Sequence, residues 1–298
     1  MFRSIFTLSV CSLFFGLVGC ADDSSAPACE TVEIDAPSFP DDGDLIMLPG
    51  SEWTTSFRGV PSGCVGAESL VVEVESDVVE ASVVDSEFFG LRIVSTAEGS
   101  GTIAARLDGE IVDELVVTVS PLTGFDFIPG EEFIGSSASV PEPWGVITDH
   151  GVLLVTQIMT EQGPVSDSLG FVDEVEFEDR NAVTSSNEGI PNVRFAEPGE
   201  YTGTLPVQAA GATTATGTVT AVAPEEIVEL SIAVRDSRIS VLGVSEDGVT
   251  VIGLAPEVRL NGERVESSLG SWLFRTDHES GDELTVTWNG LEQTLTFD

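Results

Sequence analysis

The chain has 298 residues, with 51 acidic side chains against 11 basic ones and a formal net charge of −40. That balance argues against a basic footprint of the kind that grips nucleic acid or anionic lipid. Hydrophobic residues make up 42%, with 16 Phe and 4 Trp, enough to pack cores and to argue against disorder through most of the length.

In chain order, Arg3 precedes an apolar run from Ile5 to Val18. The run is too short for a stable membrane span and suits the core of a signal peptide. It closes in Leu17-Val18-Gly19-Cys20 and turns polar at Ala21-Asp22-Asp23-Ser24-Ser25. These residues resemble the lipobox signal of bacterial lipoproteins: an apolar residue, a small residue, the cysteine, then a polar tether. The resemblance implies cleavage after Gly19, diacylglycerol on Cys20 and N-acylation. Each acyl chain would contribute about 0.8 kcal/mol per buried methylene to membrane anchoring. Ala21 stands where an Asp retains some lipoproteins at the inner membrane, which favours an outer-membrane address and leaves the leaflet face open. An ordinary secretory cleavage near Cys20 is the alternative.

Residues 1–19 are therefore expected to be signal and 20–30 tether. Cys11 and Cys20 belong to the signal, leaving Cys29 and Cys64. An even pair in an oxidising compartment reads as a disulfide. It would close a loop of roughly 35 residues and contribute about 3–4 kcal/mol in the chain-entropy picture.

Beyond the tether the hydrophobic period is two almost throughout. Leu70, Val72 and Val74 alternate with Val71, Glu73 and Glu75; Val175 and Phe177 alternate with three glutamates over Glu174–Glu178. Val228, Leu230, Ile232 and Val234 alternate with Glu229, Ser231 and Ala233, and Leu284, Val286 and Trp288 with two threonines. Antiparallel sheets with one wet face have this pattern. Asn261-Gly262 and Asn289-Gly290 suit type I′ hairpins, and Asp108-Gly109 and Asp247-Gly248 also separate strand-like runs. The fold class is all-β: tandem Ig-like antiparallel β-sandwiches. Natural last strands end at Pro121, Pro224 and Asp298, dividing the chain into units 31–121, 122–224 and 225–298.

In the first unit, Glu75-Ser76-Asp77-Val78-Val79-Glu80-Ala81-Ser82-Val83 and Thr96-Ala97-Glu98-Gly99-Ser100-Gly101-Thr102-Ile103-Ala104-Ala105 resemble segments of bacterial Ig-like domains of the Big-2 kind. The chain departs from that family in lacking its central Trp-x-Ser. In the second, Val193-Arg194-Phe195-Ala196-Glu197-Pro198-Gly199-Glu200-Tyr201-Thr202-Gly203-Thr204-Leu205 resembles the corner of PKD-like and other Ig-like sandwiches. Tyr201, the one tyrosine, is expected to bond upstream backbone through its hydroxyl. The third unit, a small C-terminal β-sandwich, carries only pattern.

Catalysis would need a nucleophile, base or metal held in a pocket. His150 and His278 each follow an Asp, but no nucleophile elbow, zinc spacing or phosphate loop accompanies them. They are expected to be exposed loop residues, and no enzyme activity or cofactor is expected. Calcium is the metal that fits an acid-rich chain. Its candidate ligands are Asp41, Asp42 and Asp44, in the loop Asp41-Asp42-Gly43-Asp44; the acids of 173–179 alternate like a solvated strand face. Trp144, in Pro141-Glu142-Pro143-Trp144-Gly145, is the candidate contact for a glycan or protein ligand, with core packing as its other reading.

The lysine-free, acid-rich composition is similar to that of halophilic secreted proteins or of an acidic marine secretome. The charge then follows habitat, a specific cationic partner being the alternative. The expected function is a non-catalytic, lipid-anchored cell-envelope protein presenting Ig-like domains for adhesion, display or envelope assembly. The alternative is a calcium- or glycan-binding surface module. Its partners would be the membrane through the N-terminal lipid, and a protein or polysaccharide at the cell surface.

Overall fold

The computed structural model describes residues 31–35, 44–60, 70–84, 90–130, 140–179, 181–187, 190–209, 212–269 and 272–298. Nearly everything in them is strand. The first unit supplies β1 (Thr31–Ile34), β2 (Leu45–Met47), β3 (Glu52–Val60), β4 (Val71–Val74), β5 (Val79–Val84), β6 (Gly90–Ser95), β7 (Gly99–Leu107) and β8 (Glu110–Val119). They form two four-stranded sheets, β1-β3-β6-β5 and β2-β8-β7-β4. β1 runs antiparallel to β3, whereas β2 crosses to the other sheet and runs parallel to β8, Leu45 opposite Val117. This two-sheet plan is that of immunoglobulin domains, with the first strand split between the sheets. Alternation decides which side chains meet: Leu45, Leu91, Ile93, Ile103 and Val117 are fully buried between the sheets.

The second unit supplies β9 (Leu122–Pro129), β10 (Trp144–Ile147), β11 (Leu154–Thr160), β12 (Gly163–Phe171), β13 (Glu176–Phe177), β14 (Ala182–Asn187), β15 (Ile190–Phe195), β16 (Gly199–Ala209) and β17 (Ala212–Val222). It repeats the plan. β9 pairs β11, a bridge from Val152 to Val193 ties in the β14-β15 hairpin, and the opposite sheet runs β13-β16-β17-β10 with β10 parallel to β17. Phe125, Phe127, Phe177, Phe195 and Tyr201 form a chain of ring contacts through its core, with centroids 4.6–5.8 Å apart.

The third unit supplies β18 (Ile227–Arg235), β19 (Arg238–Ser245), β20 (Thr250–Ile252), β21 (Glu257–Leu260), β22 (Glu263–Val265), β23 (Ser267–Leu269), β24 (Leu273–Arg275), β25 (Glu283–Trp288) and β26 (Leu291–Thr296). One of its sheets is β22-β21-β25-β26. The other contains β18, β19, β24 and β23 and continues through β20 onto β10 and the second unit, making nine strands in all. The hydrogen-bonded ladder runs through the expected division at 224/225, and Leu242, Ile252, Trp272 and Leu273 from beyond it belong to the middle core cluster.

At three of the four Asx-Gly turns both central residues have positive φ: Asp108 51° and Gly109 88°, Asn261 51° and Gly262 85°, Asn289 46° and Gly290 84°; at Asp247-Gly248 only the glycine does, at 79°. That is the type I′ requirement, and it explains the side-chain choice. Two local expectations are corrected. Residues Val172–Glu174 form a 3-10 turn, so the strand expected over Glu174–Glu178 shrinks to Glu176–Phe177. A β-bulge between Ile227 and Glu229 shifts the register of β18, so Ile227 enters the core and Val228 is left 47% exposed.

Candidate functional site

The residues singled out in the sequence fall in scattered places. Cys20, Cys29, Cys64, Asp41 and Asp42 lie outside the described residues. Asp44 is exposed just before β2. Among the described residues no group of three or more His, Cys, Asp and Glu is arranged to hold a metal ion. Tyr201 is buried, and its hydroxyl donates to the Glu197 carbonyl at 2.8 Å. Burial raises its pKa above the ordinary phenol value, more than the backbone bond lowers it. Trp144 opens β10, is half-buried and packs against the middle core.

The histidines depart from the exposed loop positions expected of them, because each is half-buried. The His278 ring stacks on Phe297 with centroids 3.8 Å apart, and its Nδ1 is buried with no hydrogen-bond partner among the described residues. Nearby, the Asp282 carboxylate accepts from the Asn261 side chain and the Glu279 amide. The Asn261 bond is the main cause that holds it below the ordinary carboxylate range. Among the described residues neither histidine hydrogen-bonds a serine or a carboxylate.

Two joints connect the three units, and they are built differently. Between the second and third, β10 lies in parallel register with both β17 and β20: Gly145 pairs Thr220 on one side and Val251 on the other. The Thr250 amide donates to the Pro143 carbonyl at 2.9 Å, and the Thr148 amide to the Val222 carbonyl at 3.0 Å. Leu242, Ile252, Trp272 and Leu273 of the third unit complete the middle core, while Ile147 and Val222 of the second complete the third. Trp272 is 1% exposed, the largest of the fully buried side chains. A cleft of about 410 Å³ opens beside this joint, lined by Thr220, Glu226, Ser245, Glu246 and Asp247 among others. Its polar groups are partly used locally: Ser245 Oγ accepts from the Val249 amide, and Glu226 from the Ala223 amide.

The joint between the first and second units is slighter. The β11-β12 hairpin reaches back to β2, where the Ile46 amide donates to Ser166 Oγ at 3.0 Å. Leu48 of the first unit enters the middle core. Only Ser120 and Pro121 separate β8 from β9.

Among the described residues, ion pairs with exposed acids include Arg58–Glu33, Arg92–Glu52, Arg106–Glu73, Arg194–Asp149, Arg259–Glu257 and Arg264–Glu266. Such exposed pairs contribute little stability. The Arg92–Glu52 pair is bidentate, two bonds of 2.6 Å, and its hydrogen bond holds Glu52 below the ordinary carboxylate range.

No protein-family model and no curated protein matches this sequence. Among solved structures the chain is similar to domains 5–6 of the S-layer protein SbsC, at 17% identity and a TM-score of 0.29, covering 66% of this chain and 99% of that one. It is similar to the Escherichia coli adhesin FdeC at 12% identity and TM-score 0.24, covering 90% and 96%. It is also similar to the Bacteroides ovatus protein SGBP-B, solved with a mixed-linkage heptasaccharide, at 15% identity and TM-score 0.24, covering 90% and 70%. These superpositions are loose and assign no ligand.

Proposed function

We propose that this chain is a lipid-anchored, extracytoplasmic arm of the bacterial cell envelope, in which serial Ig-like units hold a non-catalytic display or adhesion surface away from the membrane. The single observation that carries the reading is β10, a strand shared by the ladders of the second and third units. A flexible string of binding domains needs only linkers; a strand hydrogen-bonded on both edges serves to fix orientation. The lipobox-like Leu17–Cys20 supplies the anchor in this reading, and residues 20–30 the tether. The acidic, lysine-free surface keeps the arm hydrated outside the cell.

Metabolic labelling with a palmitate analogue tests the anchor. Wild type is expected to carry label and to fractionate with membranes, and Cys20→Ala to carry none and be released. Equal labelling of both would overturn the lipid reading. Small-angle scattering tests the arm: one rigid envelope is expected for residues 122–298 within the full chain, and a broad distribution of angles between those units would overturn it.

A further inference from the structure

Nine arginines lie among the described residues. Arg235, Arg238 and Arg275 stand together. In the ladders of the third unit Arg235 is opposite Arg238, and Arg238 is opposite Arg275. Directly opposed residues project from the same face, so three arginine side chains leave that face from adjacent strands about 4.8 Å apart. The face is the outer one, because Ile239, Val241 and Phe274, at the alternate positions, fill the third core. Farther along the same face Ser240, Leu242 and Leu273 are buried, the two leucines in the middle core. The row therefore begins where cover by the second unit ends. Arg235 and Arg275 are exposed and reach no carboxylate among the described residues. Like charges directly opposed in a sheet are unfavourable, and this chain has acids in abundance to place there instead.

A matching surface lies on the first unit. The register sets Glu73 opposite Ala104 and Ala104 opposite Glu114, so two glutamates stand two strands apart, the spacing of Arg235 and Arg275. Ala104, between them, is fully buried. Around it on the same outer face are Val71 at 53%, Ile111 at 46% and Val116 at 40%, three of the six most exposed large hydrophobics among the described residues. Glu73 already accepts from Arg106 Nε through one oxygen, and a carboxylate has further acceptor positions.

We propose that Arg235 and Arg275, at the two ends of this row, dock on Glu73 and Glu114 of a second copy of this chain. The two patches lie on different units, so the contact is heterologous: it joins copies head to tail and extends into rows rather than closing a two-fold dimer. Two bodies of charge −40 repel at long range. Salt shortens that repulsion, the Debye length falling from about 10 Å at 0.1 M to about 3 Å at 1 M. Burial of Val71, Ile111 and Val116 and paired guanidinium–carboxylate bonds act at contact. Association therefore strengthens with salt, the reverse of a simple ionic complex.

Sedimentation velocity of the full-length protein in detergent, at 0.1 and 1 M NaCl over a wide concentration range, tests this. Wild type is expected to grow in mass with both concentration and salt. Arg235→Glu with Arg275→Glu is expected to weaken association at least about tenfold, some 1.4 kcal/mol, and Glu73→Arg with Glu114→Arg to do the same. Mixing the two variants is expected to restore it. Unchanged melting curves will show that the variants remain folded. A single monomeric species for wild type under every condition overturns the proposal, as does association unaffected by either charge reversal. Monomeric wild type that is retained on immobilised polyuronate, with retention lost in the arginine variant, overturns it in favour of an external acidic polysaccharide.

Discussion

The two joints of this molecule hold the same kind of unit together by different physics. The joint between the second and third is a backbone ladder: β10 is hydrogen-bonded along both edges, and each unit lends side chains to the other's core. The joint between the first and second is a serine hydroxyl, which accepts from the Ile46 amide and donates to the Asp44 carbonyl, and one leucine. A ladder with a shared core cannot be opened without unpairing several amides and exposing apolar surface at once, so units so joined unfold together. The two bonds of one hydroxyl, to the Ile46 amide and the Asp44 carbonyl, can be exchanged for water. The molecule is thus expected to behave as one long body, residues 122–298, and one shorter body hinged to it.

The largest break in that comparison is Trp272→Ala. The side chain belongs in sequence to the third unit and in space to the middle core. The substitution is expected to cost about 3–5 kcal/mol and to lower a single denaturation transition shared by the second and third units, read by urea unfolding. Two separate transitions in wild type would refute the coupling. Gly145→Ala strikes the ladder itself, because a Cβ there would stand 2.6 Å from the Thr220 carbonyl oxygen. Pushing β10 off β17 is expected to cost about 1–3 kcal/mol and to expose the joint to limited proteolysis. Tyr201→Phe removes the bond to the Glu197 carbonyl, an expected loss of about 0.5–1.5 kcal/mol. It sharpens the comparison, since hydrogen exchange should quicken in the third unit as well as the second and leave β3, β6 and β7 unchanged. Ser166→Ala is the smallest, about 0.5–1 kcal/mol. It is expected to leave the shared transition in place and to widen only the angular distribution of the first unit seen by scattering.

Much of the strand content was legible because side-chain alternation is a local property. The turns at Asn261-Gly262 and Asn289-Gly290 were legible for the same reason, since positive φ at two successive positions nearly dictates those residues. Val228 shows where local reasoning stops. It alternates correctly with Leu230, yet the bulge at Ile227/Glu229 turns it outward, and a bulge is decided by what the partner strand needs. Trp144 shows the same limit. Its Pro-rich surroundings suggest a loop, whereas pairing with β20 from a hundred residues downstream makes it the first residue of a strand. In the arginine row, Arg235 and Arg238 flank a turn and can be seen together in the sequence. Arg275 joins them only through the β19-β24 register.

By itself, then, the sequence determined the all-β class, the Asn-Gly hairpin turns and the placing of acids on wet strand faces, all set by residues within a few positions of one another. The tertiary structure decided that the second and third units share one sheet, that Trp272 serves the neighbouring core, and that three arginines stand side by side. Each of these depends on which distant strands pair, and pairing is settled by burial of whole faces, a property that no short stretch of the chain contains.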